Sequence, residues 1–379
     1  MPTAWGTAGV PGSCVAPSLK GVSVAKSKDR VNVAVIGLGM GRHHLKDYHA
    51  NPRARAVAIC DTDTARLDQF AAECSIPREN CFTDYRTLLA AARRLELDAA
   101  SVALPNVLHA PVTIAALNAG LHVLCEKPMA MNVAQARAML AAARKGRRKL
   151  MINFSYRFMP QTLALKSYVD SGELGDVYYG RTAWYRRRGL PGFGGWFGQK
   201  KLSGGGPIID LGVHRIDLAL WLMGNPRPAS VTAATYNAIG ARIARELGKA
   251  FDTEDLGGAF IRFQNGASLI AEASWAGFTE KREEMITQLL GTRGGVVHRN
   301  VGEGYEFEAR AYTERDGALW ELRLQQGTGP CPTAYQEFVN SILEDREPAA
   351  PGEHGLAVQL ILDAIYKSAA TGREVRIRD

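Results

Sequence analysis

This 379-residue chain has no paired-looking cysteines. Its six stand at positions 14, 60, 74, 81, 125 and 331, with no C-x-x-C pair and no Cys/His cluster at zinc spacing. That excludes a zinc ribbon or a dithiol redox motif and fits reduced thiols in a cytoplasmic protein. No apolar run is long enough for a membrane helix. The first 30 residues lack both an apolar leader core and a twin-arginine pair. They therefore read as an N-terminal arm, either disordered or lying over a neighbouring surface, and not as a secretory signal. Internal repeats are absent. The acids of "FDTEDLGG" have no histidine or cysteine cluster beside them, so no metal site is expected. The charge is unbalanced toward basic, with Lys+Arg 46 against Asp+Glu 38 and a formal net charge of +8. No nucleic-acid-binding motif accompanies it, so the charge favours anionic small molecules over nucleic acid. Even "RKGRRK" (144–149) falls between a helix end and a strand, where a solvated turn is the simpler reading.

What is present is ordinary globular composition, 46% hydrophobic and 22% charged, in a pattern that changes near residue 150. Before that point short β-branched apolar runs alternate with helical stretches: "VNVAVIG", "RHHLKDYHANP", "RAVAICD", "TARLDQFAAEC", "DYRTLLAAARRLELD", "AASVALP", "HAPVTIAALNAG", "HVLCEKP", "NVAQARAMLAAARKG" and the start of "KLMINFSYRF". Strands in strict alternation with helices predict a parallel sheet covered on both faces. After a helix in "PQTLALKSYVDSG", the second part reads as period-two strands: "DVYYGRTAWYRRRG", "ASVTAATYNA", "LGGAFIRFQ", "ASLIAEASWAG", "MITQLLG", "YEFEARAYT" and "ALWELRLQ". A helix in "GGGPIIDLGVHRIDLALWLMG" and two closing helices complete it. This predicts a largely antiparallel sheet with helices on one face, and an α/β chain divided into 1–30, 31–152 and 153–379.

The stretch "VIGLGMGRHHL" joins the first strand to the first helix. A glycine turn there aims backbone N–H groups and a helix N-terminus at a pyrophosphate. Gly37 permits the tight turn, Gly39 lets the backbone approach, and Leu38, Met40 and Gly41 complete the segment. A strict G-x-G-x-x-G would place its third glycine, the one that serves helix–strand packing, where Arg42 stands, so a packing cost is expected there. Asp61 ends the second strand about twenty residues on, where an acid receives ribose hydroxyls and repels a 2′-phosphate. NAD is therefore expected ahead of NADP, although Asp63 and Arg66 nearby leave NADP open. The alternative for Asp61 is a cap on the helix that follows.

Three more segments complete the reading: "LHVLCEKPMAMN" with Glu126-Lys127-Pro128, "LPNVLHAPV" with Pro105, Asn106 and His109, and "GGGPIIDLGVHRID" with Asp210 and His214 four residues apart. In this order and spacing the chain resembles the Gfo/Idh/MocA family of sugar and cyclitol oxidoreductases from Val31 to the C-terminus. The resemblance implies a Rossmann domain, a second α/β domain whose open sheet forms a homodimer or homotetramer contact, and hydride transfer between a secondary hydroxyl and a nicotinamide. Lys127, placed beside that ring, suits a cation that stabilises a developing alkoxide. His214 suits a general base, and Asp210 either binds substrate hydroxyls or orients the imidazole. Glu126 is expected to hold Lys127 or the cofactor ribose, and Asn106 to touch the cofactor. His109 serves either the cofactor or the next helix. Arg157 matches a family position near the nicotinamide, and Tyr156 is expected to line the pocket. Trp184, Trp196, Arg186 and Arg188 bind a sugar face or an anion, or else fill an oligomer interface. Asp217 is either structural or supporting. The resemblance leaves two other activities open: redox-neutral glycoside cleavage with bound NAD, and sugar sensing without turnover.

Overall fold

The computed structural model describes residues 29–325 and 329–378. The expected N-terminal arm lies outside the described residues up to position 28. The first sheet is built from β1 (Val31–Ile36), α1 (Gly41–Ala50), β2 (Ala54–Cys60), α2 (Thr64–Glu73), β3 (Cys81–Phe82), α3 (Tyr85–Ala90), β4 (Ala99–Val102), α4 (His109–Asn118), β5 (His122–Cys125), α5 (Val133–Gly146) and β6 (Leu150–Ile152). All its pairings are parallel, in the order β3-β2-β1-β4-β5-β6. The order reverses between β1 and β4, and in open α/β sheets a ligand crevice forms at that switch, outside the carboxyl ends of the strands. Helix starts follow their side-chain caps. Asp63 caps α2 through the Arg66 N–H, and Asn132 caps α5 through the Gln135 N–H. The helix expected over 84–98 is shorter than its pattern: α3 stops at Ala90 and the chain continues as turns to Glu96.

The second part contains α6 (Pro160–Asp170), β7 (Val177–Arg186), α7 (Lys200–Ser203), α8 (Val213–Leu222), β8 (Pro228–Tyr236), α9 (Ile239–Glu246), β9 (Leu256–Phe263), β10 (Ser268–Ser274), β11 (Glu283–Gly291), β12 (Gly294–Asn300), β13 (Phe307–Arg315), β14 (Ala318–Leu324), α10 (Ala334–Leu343), α11 (Gly352–Thr371) and β15 (Val375–Arg376). The sheet order is β14-β13-β12-β11-β7-β10-β9-β8-β15, antiparallel except where β7 meets β10. Strand β12, "GGVVHRN", and helix α9 were not read from the sequence. The first opens on two glycines, and the second is short.

The helix expected over 204–224 is not continuous. Residues Ile208–Gly212 form a wider turn in which the Val213 N–H reaches the Ile208 carbonyl, five residues back. Such turns recur at functional sites. One further departure concerns the C-terminus. Helix α10, begun by a Thr333–Gln336 capping box, packs on α1, β1 and β5 of the first sheet. The Ile152 N–H then donates to Ala350 O at 2.9 Å. Helices α10 and α11 thus bind the two sheets together, and one buried apolar cluster runs through both.

Candidate active site

The carboxyl ends of β1, β2, β4, β5 and β6 open onto a cavity of about 980 Å³, the size of a ligand pocket. Gly37, at φ +88°, is obligatory there: a Cβ would lie 2.3 Å from the Ala103 carbonyl oxygen. At Gly39 a Cβ would meet nothing within 4 Å, so the backbone is open to an approaching phosphate. Gly37, Gly39 and Met40 line the cavity, whereas Leu38 and Gly41 do not. Leu38 is fully buried and its N–H donates to Asp61 Oδ2 at 2.7 Å. Gly41 does the work that the sequence pattern assigned to position 42. A Cβ there would lie 3.0 Å from Val35 Cγ1 and 3.3 Å from Ala103 Cβ. Arg42 is exposed and makes no packing sacrifice, which corrects the expected cost.

Asp61 lines the cavity and is held rigidly. It accepts from Leu38 and Asp63 N–H groups and from Arg66 Nη1 at 3.1 Å. A carboxylate has about four acceptor sites, so one remains for a ribose hydroxyl. The cap on α2 is Asp63, not Asp61. Glu126 is fixed from below. His44 Nε2 lies 2.8 Å from Oε1, Asn153 Nδ2 donates to the same oxygen at 2.6 Å, and His44 Nδ1 lies 2.7 Å from Ser101 Oγ. Burial alone would raise its pKa, but His44, Asn153 and the Lys127 ammonium bring it down to about 2.

Lys127, Asp210 and His214 line the far side of the same cavity. Lys127 Nζ donates to Asp210 Oδ1 at 2.9 Å and to the Asp210 carbonyl at 3.0 Å. Trp275 Nε1 donates to Asp210 Oδ2 at 3.0 Å. Burial raises the Asp210 pKa, but Lys127 and Trp275 outweigh it, and the carboxyl stays below its usual range. The Asp210 carboxylate thus meets Lys127 on one oxygen and Trp275 on the other. His214 is kept neutral, its pKa driven well below 6.5 by burial and by the cations of Lys127, Arg215 and Arg186.

Residues 31–154 match the oxidoreductase family with an NAD-binding Rossmann fold, and residues 162–297 match the Gfo/Idh/MocA C-terminal domain. The chain belongs to the Gfo/Idh/MocA family. It is 31% identical over 362 residues to a D-glucoside 3-dehydrogenase of Escherichia coli, covering 93% of this chain and 99% of that one. An inositol 2-dehydrogenase of Rhizobium meliloti is 26% identical, covering 92% and 99%. Among solved structures, GenD2 from gentamicin A biosynthesis, in complex with NAD, superposes with a TM-score of 0.74 at 28% identity, covering 94% of this chain and 98% of that one. This Gfo/Idh/MocA chain is an oxidoreductase with an NAD-binding domain.

Other expected site residues of this family member fall in two groups. Pro105, Asn106 and His109 line the cavity. Asn106 Nδ2 donates to the Ser203 carbonyl at 2.7 Å, tying the first sheet to α7. The His109 ring nitrogens lie 2.7 and 2.8 Å from the carbonyl oxygens of Pro128 and Leu104, so the ring braces two loops and does not cap α4. The second group does not reach the cavity lining. Arg157 is 1% exposed and bonded to Asp217 through Nε (2.9 Å) and Nη2 (2.5 Å), so the guanidinium expected near the nicotinamide faces Asp217 in this structure. Trp184 Nε1 and Arg186 Nε both donate to Glu283. Arg188 lies over Phe278, 4.4 Å from the ring centroid. Tyr156 supports His214 from behind, with ring centroids 5.0 Å apart. Behind it is Arg215, fully buried, with no hydrogen-bond partner for its guanidinium among the described residues. It faces the Tyr156 ring at 4.3 Å, and burial lowers its pKa to about 10.

Four contributors had no sequence assignment: His44, Asn153, Trp275 and Tyr335. Tyr335 lines the cavity from α10 and meets His44 with centroids 4.6 Å apart. Phe197 also lines it. Among the described residues no cluster of His, Cys, Asp or Glu could hold a metal, and no helix is long and apolar enough to cross a membrane.

Proposed function

We propose that this chain oxidises a secondary hydroxyl of a sugar, sugar derivative or cyclitol, or reduces the corresponding ketone, with NAD preferred over NADP. The observation that carries the reading is the sharing of one cavity by the open Gly39 turn and Asp61 at one end and by Lys127, Asp210 and His214 at the other. NAD, when bound, supplies the hydride acceptor. Gly37, Gly39 and Met40 would receive its phosphates, Asp61 its adenosine ribose, and Glu126, Asn106 and Pro105 the remainder.

Lys127 holds the substrate hydroxyl with its ammonium and stabilises negative charge as it develops on oxygen, a role worth most where water is excluded. Asp210 fixes that ammonium through two contacts. His214, kept neutral, takes the proton, and a positioned base contributes on the order of 10²- to 10⁴-fold. The preference for NAD rests on Asp61, whose carboxylate would repel a 2′-phosphate. Arg66, 40% exposed at its side, is the residue such a phosphate would meet. The chain is expected to act as a homodimer or homotetramer. The exposed Leu319 and Trp320 on β14 are apolar surface suited to such contacts.

The test is NADH formation by purified protein from myo-inositol, free sugars and glycosides, with NAD and NADP in parallel. Turnover with NAD exceeding that with NADP is expected. Bound NAD with no reduction by any of these would overturn the proposal.

A further inference from the structure

The loop between β7 and α8 brings two aromatic rings to the cavity. Trp196 and Phe197 stack with centroids 3.9 Å apart and planes 27° apart, and both line it. A chain of contacts places them at the Lys127 end. Phe197 meets Trp275 edge-on at 6.3 Å. Trp275 Nε1 in turn holds Asp210 Oδ2, and Asp210 Oδ1 holds Lys127. The pair is therefore one ring away from the carboxylate that positions Lys127.

The rings are anchored. Phe251 packs on Phe193 at 5.3 Å and on Trp275 at 6.4 Å. At Gly198, just past the pair, a Cβ would lie 2.8 Å from Phe251. The Lys200 N–H is fixed by Asp252 Oδ1 at 2.6 Å. Neither Trp196 nor Phe197 is fully buried, so the stack is a supported aromatic surface that still faces open space.

An aromatic face beside Lys127, Asp210 and His214 suits a ligand that is apolar on one side and hydroxylated at its edge. A six-membered carbohydrate or cyclitol ring is such a ligand: its axial C–H bonds form an apolar face, and its equatorial hydroxyls point outward. The negative face of an aromatic ring attracts those C–H groups. An open-chain polyol has no persistent apolar face and must freeze several rotors to offer one. We infer that Trp196, backed by Phe197, is a stacking platform that selects ring-form substrates, pyranosides or cyclitols, over open-chain polyols and turns a ring hydroxyl toward Lys127 and His214. This rests on the oxidoreductase reading of the cavity.

The experiment compares kcat/KM, with NAD saturating, for methyl α-D-glucopyranoside, myo-inositol and D-glucitol in the unaltered protein, Trp196→Ala and Trp196→Phe. The better ring substrate should exceed D-glucitol by at least roughly ten-fold, the scale of one good ring contact. Trp196→Ala should bring that ratio close to one, chiefly by raising KM for the ring. Trp196→Phe should retain most of the ratio. Fluorescence titration with NAD reports whether the variants are folded. Equal use of ring and open-chain substrates by the unaltered protein, or an undiminished ratio in a folded Trp196→Ala, overturns the inference and leaves the dehydrogenase standing. No NADH from these three or from the wider panel of free sugars and glycosides overturns both.

Discussion

The two ends of the cavity are built differently. At the cofactor end the residues sit at the tips of parallel strands: Gly37 after β1, Asp61 after β2, Pro105 after β4 and Glu126 after β5, where Lys127, the next residue, reaches toward the other end. Their positions follow from the backbone, because a parallel sheet puts every carboxyl end on one edge. At the substrate end the residues come from a five-residue-back turn and a loop, Asp210 and Trp196, with Trp275, just past β10, holding Asp210 from behind. Their positions follow from side-chain contacts. A parallel sheet therefore writes its site into strand spacing, whereas an antiparallel one assembles its site from partners that the sequence keeps apart.

The largest effect should come from the residue that links the two ends. Lys127→Met is expected to lower kcat by on the order of 10²- to 10⁴-fold, with NAD affinity by fluorescence little changed. A parallel loss of NAD binding would assign Lys127 to the cofactor end alone. His214 adds a pH signature. Its pKa lies well below 6.5, because burial and the neighbouring cations oppose a further charge. The imidazole is then neutral, and able to accept a proton, at pH values where an ordinary histidine would already be charged. The acid limb of kcat/KM should accordingly fall below pH 6.5 and vanish in His214→Asn. A limb at or above 6.5 would contradict the assignment.

Arg157 and Asp217 form a buried ion pair away from both ends of the cavity. Breaking a buried ion pair by removing one partner costs about 3–5 kcal/mol. Arg157→Met should therefore lower the unfolding free energy by that amount in denaturant titrations, while NAD affinity of the folded protein is preserved. Weakened NAD binding in a protein of unchanged stability would restore Arg157 to the cofactor. At the other end, Asp61→Ser should shift the ratio of NAD to NADP use by roughly 10- to 100-fold toward NADP, the worth of a charge-assisted hydrogen bond. Steady-state kinetics with both nucleotides measures it.

The smallest effect is also the sharpest contrast between neighbours. Gly41→Ala forces a methyl against Val35 and Ala103 and should cost about 1 kcal/mol or more. Arg42→Ala should stay within about 0.5 kcal/mol. Thermal unfolding of the pair decides which of the two positions carries the packing.

The same division governs what was legible in advance. The parallel sheet, the glycine turn and Asp61 could be read, because each follows from a strand pattern; Lys127, Asp210 and His214 were singled out by the family resemblance, and the structure brings the three to one cavity. The role of position 41 could not, because helix phase and not residue count decides which glycine faces the strand. His44 and His43 are indistinguishable as letters; only the helix rotation buries one beneath Glu126 and leaves the other exposed. The pairing of Arg157 with Asp217 could not be read, because "SYRF" turns into a short helical coil instead of continuing β6. Tyr335 had no signal at all, since nothing in the pattern said that α10 returns to the first sheet.

The most direct test uses a ring substrate, of the kind that turns over in the kinetic panel, deuterated at the carbon bearing the reactive hydroxyl. It is incubated with NAD and the unaltered protein, and the nicotinamide is examined by NMR. Deuterium at the nicotinamide C4 in step with ketone formation, together with its loss in Lys127→Met, is the predicted result. Substrate consumed with no ketone and no label on the nicotinamide would contradict the account and point to redox-neutral chemistry.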